Sequence, residues 1–188
     1  MNDDQLGFDI DATAEMTPWQ VWVDPQRHHA QTRKLLARAG LPGLPTEPWD
    51  YDKNDEIHQL NDFLMGLFPD LDAVTSNPDD ADQLACLIGQ WFTKYLDAKW
   101  IDVDALPPIA GINDTDRVSL YTGFTPALTF PYPGWRACTA DRFVASVVEN
   151  EILDMAELVA VGYSRLHKPD TAPFSEVPDF FRDTAPFL

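Results

Sequence analysis

Apolar positions recur along most of this chain at the three- and four-residue spacing of a half-buried helix, and only briefly at the alternation of a strand. Between Asp55 and Phe68, the residues Ile57, Leu60, Leu64 and Leu67 fall at i, i+3, i+7 and i+10, one stripe of a helix for which Asn54 is the expected cap. A broader face made of Leu84, Leu87, Ile88, Trp91, Phe92, Tyr95 and Leu96 marks a helix from the Asn77–Pro78 pair to about Ala98. Its breadth makes this the central helix. Asp79, Asp80 and Asp82 occupy its first turns, where the helix dipole favours anions, and Lys94 and Lys99 lie toward its other end. Earlier, Asp24 and Pro25 start a helix that runs to about Ala39 and stops at Gly40. Later, Thr139 caps a helix carrying Phe143, Val144, Val147 and Val148. The stripe Ile152, Met155, Ala156, Val159 and Tyr163 then runs from Glu151 to about Leu166, as a fifth helix or a kinked extension of the fourth.

Strand signals occupy the gap between the central helix and Thr139. Trp100, Ile101 and Val103 suggest a short strand, and residues 117–124 and 127–132 read as two more, rich in β-branched and aromatic side chains and parted by a turn at residues 123–126. Pro131, Pro133 and Gly134 stop the last of these. Residues 19–23 fit either a strand or one turn of helix. The resulting fold class is α+β, about five helices around a small antiparallel sheet of about three strands, in one domain spanning residues 17–167. Residues 1–16 read as an acidic flexible arm. Residues 168–188, where prolines alternate with Phe174, Phe180, Phe181 and Phe187, read as an extended tail that docks on the domain or on a neighbouring subunit.

Composition supports a real core, with 45% apolar residues, six Trp and eleven Phe. Charge changes the functional picture: 31 acidic against 13 basic side chains give −18. Such a surface repels phosphate, so neither nucleic acid nor an anionic membrane is an expected partner, while a basic protein would be steered toward it. The acidity concentrates in the arm and in residues 47–82. Residues 25–40 form the one basic helix, with Arg27, Arg33, Lys34 and Arg38, which serves the helix dipole or a docking face, either toward the acidic remainder or toward an anionic ligand. No window is apolar enough to cross a membrane, and the opening MNDDQLGFDIDATAE is not a secretory signal, so the cytoplasm is the expected location.

Candidate chemistry is sparse. Asp-x-Asp pairs at Asp9 and Asp11, Asp50 and Asp52, Asp70 and Asp72, Asp102 and Asp104, and Asp114 and Asp116 present oxygen ligands suited to a hard cation, yet none lies in a full calcium loop. His58 and Asp62, four apart, share a helix face suited to a metal or a proton-transfer pair. His28 and His29 are neighbours and point apart, and His167 ends the last helix. Cys86 falls inside the central helix as a core thiol, whereas Cys138 precedes a helix N-terminus beside Arg136 and Arg142, a setting that activates thiolates. No nucleophile elbow and no glycine-rich phosphate cradle occurs. Residue by residue, no catalytic, cofactor or metal site is assigned, and no cofactor is expected.

The segments LACLIGQWFTKYLDAKWID, SLYTGFTPALTFPYPGW and VASVVENEIL together resemble small bacterial α+β domains of the order helix, Trp-led strand, strand ending in Phe-Pro, helix, with Trp100, Phe130, Pro131, Asn150 and Glu151 at the defining positions. The resemblance implies a fold and no activity. In size, acidity and lack of motifs the chain is also similar in kind to bacterial immunity proteins. The expectation is therefore a non-enzymatic protein-binding module, immunity- or inhibitor-like, that engages a basic partner. The alternatives are a self-associating protein that forms a homo-oligomer through its tail, and a metal-dependent or acid/base hydrolase whose carboxylates meet only in the fold.

Overall fold

The computed structural model describes residues 15–105, 120–132 and 137–167. Residues 1–14 of the N-terminal arm, the part of the 117–124 segment before Leu120, the Asp9/Asp11 and Asp114/Asp116 pairs, Arg136 and the tail after His167 lie outside the described residues.

Thr17 opens α1 (Pro18–Trp22), its hydroxyl accepting from the Gln20 amide while the Gln20 side chain accepts from the Thr17 amide. This reciprocal box, with Pro18 in the first turn, settles the 19–23 segment as helix. Asp24 caps α2 (Pro25–Arg38) through the Gln26 amide, as its sequence implies. In α3 (Asp55–Leu67) Asn54 holds the cap position but does not cap: its side-chain oxygen accepts from the Asp50 amide and closes the preceding turn instead. A short helix that no periodicity announced, α4 (Leu71–Ser76), is capped by Asp70 on the Ala73 amide and buries only Val74. The central helix, α5 (Pro78–Leu96), ends where Asp97 turns left-handed, φ 52°.

That reversal feeds β1 (Lys99–Asp102), which pairs antiparallel with β2 (Pro126–Thr129), which pairs with β3 (Cys138–Thr139), in the order β1-β2-β3. The sheet thus has its three antiparallel strands, two of them where expected: β1 covers the Trp100–Ile101 strand and β2 the start of the 127–132 strand, whereas the described part of the 117–124 strand is not in the sheet. Residues 120–124 are irregular, with a bend at residues 122–123, and Val103 belongs to a single 3-10 turn, Val103–Ala105. The reason is tertiary: Tyr121 and Phe124 turn into an aromatic cluster with Trp22, so this stretch gives up its alternation to bury both rings. The third place in the sheet falls to the two residues leading into α6 (Ala140–His167).

α6 is broken at Glu151, whose backbone is non-helical at φ 68°, ψ 158°, as a kinked extension requires. Asn61 of α3 spans the break, its oxygen accepting from the Ile152 amide (3.3 Å) and its amide donating to Glu151 Oε2 (3.3 Å). The second arm so gains a cap from another helix. One apolar cluster joins α2, α3, α5, the sheet and both arms of α6, with Leu84, Leu87, Ile88 and Phe92 fully buried at its centre. Trp49 packs on Trp91, edge to face, whereas Tyr51 is exposed. Among the described residues no helix is long and apolar enough to cross a membrane.

Candidate functional site

Two polar assemblies stand out from this frame, one closed and one open. The closed one surrounds Asp82, one turn into α5. Its Oδ1 accepts from Trp22 Nε1 (2.8 Å) and Tyr121 Oη (3.2 Å), and its Oδ2 from the Arg27 guanidinium (2.5 Å), which also reaches Cys86 Sγ at 3.5 Å. His28 packs edge-on against Trp22, with ring centroids 4.4 Å apart, and against Trp100 at 5.7 Å.

Burial dominates the electrostatics here. It pushes the Cys86 thiol up to about 12, with Asp82 adding and Arg27 opposing. It lowers His28 to about 4, with the Arg27 charge acting the same way, and it raises Tyr121 well above its ordinary value. For Arg27 burial acts downward, but Asp82 and Cys86 outweigh it and the net shift is upward. The thiol is therefore protonated, the carboxylate has three donors in place, and the imidazole is neutral, a weak base whose Nε2 is buried without a hydrogen-bond partner. The assembly is a tie between α1, α2, α5 and the 120–124 turn.

It also explains half of the basic helix. Arg27 turns to Asp82, and Arg38 grips Asp80 through two bonds, 2.5 and 3.0 Å, holding that carboxyl below its ordinary range. Of the alternatives open for α2, the intramolecular one describes these two arginines, while Arg33 and Lys34 are exposed.

The open assembly is a cleft of about 420 Å³ between the start of α4 and the end of the first arm of α6, lined by Asp70, Leu71, Asp72, Val148 and Glu149. All three carboxylates are exposed, while Leu71 and Val148 are half-buried. Asp70 commits one oxygen to its helix cap, and Arg142 approaches Glu149 only to 3.9 Å. An ammonium or guanidinium among these carboxylates, its aliphatic stem along Leu71 and Val148, is the chemistry such a cleft accommodates.

The other sequence candidates do not converge. Asp50 accepts from the Asp52 amide (3.0 Å) and from Lys53, and Asp102 accepts from the amides of Asp104 (3.2 Å) and Thr125 (3.0 Å), so these pairs organise turns. His58 bonds the Tyr51 carbonyl (2.7 Å) and not Asp62, and His167 bonds the Tyr163 carbonyl (2.9 Å). Cys138 is buried in β3 and does not face solvent. Among the described residues no three His, Cys, Asp or Glu side chains cluster to hold a metal. Sequence reasoning missed both assemblies, because Trp22, Asp82 and Tyr121, like Asp72 and Glu149, are dozens of residues apart; only the acidity of residues 47–82 pointed toward the second. No family model matches the chain, and no curated protein or solved structure matches it.

Proposed function

We propose that this chain is a non-enzymatic binding module, of the immunity or inhibitor kind, whose acidic surface takes a basic protein partner with a lysine or arginine side chain seated between Asp70, Asp72 and Glu149. The observation that carries the reading is that cleft: exposed carboxylates around a half-buried apolar floor, in a chain of net charge −18. The supporting argument is electrostatic. The α2 arginines that face the domain are taken up by Asp80 and Asp82, so they do not offset the carboxylates on the cleft side. Arg142 offsets Glu149 only in part, at 3.9 Å, and a surface with a strong excess of one sign raises the association rate of an oppositely charged partner and selects against like-charged ones.

The test is capture of the native complex, followed by a salt titration and by the triple variant Asp70→Asn, Asp72→Asn, Glu149→Gln. The complex is expected to weaken steeply with salt and to weaken further in the variant. A complex indifferent to both would overturn the reading. Asn at position 70 retains a capping oxygen, so the variant keeps α4.

A further inference from the structure

Arg33 is exposed, and among the described residues neither an ion pair nor a hydrogen bond engages it. His29, Thr32, Arg33 and Leu36 follow at i, i+3, i+4 and i+7, so they share one face of α2. Together with Gln90 and Lys94, one turn apart on α5, and with residues 42–44 of the following loop, they line a cleft of about 380 Å³. That volume lies within the roughly 300–1,000 Å³ of small-molecule sites.

Three features distinguish this cleft from the rest of the molecule. In a chain of net charge −18, no carboxylate lines it among the described residues. Lys94 is held in place beforehand, donating to the carbonyls of Pro45 (2.5 Å) and Leu44 (3.4 Å). Thr32, 2% exposed, brings a buried hydroxyl with no hydrogen-bond partner, a group that ordinary folds satisfy. Leu36, Pro42 and Leu44 add apolar wall beside the cations. Asp97, three residues after Lys94, lines the neighbouring cleft with Tyr95 and Tyr163 rather than this one.

We infer that this cleft binds a small organic anion, a carboxylate or phosphate head on a short apolar body, with Arg33 and Lys94 on the head and Leu36, Pro42 and Leu44 against the body. Arg33 supplies the planar fork that suits either head, and Lys94 a fixed point charge. The site shares no residue with the acidic cleft, so it stands or falls separately from the binding-module reading.

The experiment is an amide chemical-shift titration of the full chain with inorganic phosphate, phenylphosphate and phenylacetate at constant ionic strength. Saturable shifts grouped at Thr32, Arg33, Gly43 and Gln90 are expected, with at least one phenyl-bearing probe binding more tightly than inorganic phosphate. Tighter binding of phenylphosphate than of phenylacetate assigns a phosphate head; the reverse order assigns a carboxylate. In Arg33→Gln, an exposed change that leaves the fold intact, binding drops by about ten-fold or more. Lys94→Gln gives a second, independent loss. Shifts that stay linear with concentration, that scatter over the surface, or that persist unchanged in both variants overturn the site.

Discussion

The indole of Trp100 lies against Gly89, so close that a Cβ built on the glycine would stand 2.2 Å from Cζ2. β1 is thereby seated directly on the backbone of α5, with no side chain between. Gly89→Ala is expected to destabilise the fold by about 1–3 kcal/mol through overpacking, even though alanine alone would favour the helix by about 1 kcal/mol. Denaturant unfolding followed by tryptophan fluorescence reads the change. In a Trp100→Ala background the same substitution should turn neutral or stabilising, and a cost that persists there would place its cause elsewhere.

Removing the hub of the closed assembly should be costly. Asp82→Ala strands the Arg27 charge, 27% exposed, and leaves Trp22 Nε1 without its acceptor. Loss of one partner from a buried pair costs about 3–5 kcal/mol, and the partial exposure of Arg27 puts this case near the lower figure. Proteolysis should then cut first around α1. A variant as stable as the parent would show that α1 is held by the stacked aromatic rings alone.

His28 makes stability depend on pH. Its folded value, about 4, lies below the unfolded 6.5, so the unfolded chain binds more protons between those values. The contribution is therefore complete above pH 6.5 and is lost as pH falls toward 4, at a slope of up to about 1.4 kcal/mol per pH unit. Urea unfolding across this window should show that slope in the parent and a flatter one in His28→Leu. Equal slopes in the two chains would contradict it.

Neither cysteine should react in the native state. Cys86 is fully buried with its thiol held at about 12, and Cys138 is 3% exposed. Mass spectrometry after iodoacetamide should find both unmodified until denaturant is added. Rapid labelling of either one in the folded chain would show an opening that this packing does not contain.

The α6 break offers one more test. Asn61→Ala removes the acceptor of the Ile152 amide and should cost about 1–3 kcal/mol, the price of an unsatisfied buried donor. Glu151→Gly relaxes a backbone conformation that ordinary residues resist, and it should cost far less than Asn61→Ala despite losing the contact to Asn61. Circular dichroism and thermal melts of the two variants, side by side, decide the order.

Much of the fold was legible in the sequence because helices announce themselves locally. The stripe Ile57, Leu60, Leu64 and the broad face Leu84 to Leu96 are buried where their spacing puts them, and Asp24–Pro25 starts a helix because capping needs only its nearest neighbours. The uneven charge, too, was readable as a sum over residues. What the tertiary structure decided was everything that depends on which elements meet. Tyr121 and Phe124 left the sheet for the Trp22 cluster, and Cys138–Thr139 took the vacant edge, because strand pairing and ring burial are long-range choices with no local signature. In the same way two arginines of one basic helix pair with Asp80 and Asp82 of α5 while a third lines an open cleft. Residue spacing states which side chains share a helix face, but only packing determines whether that face meets a carboxylate or water.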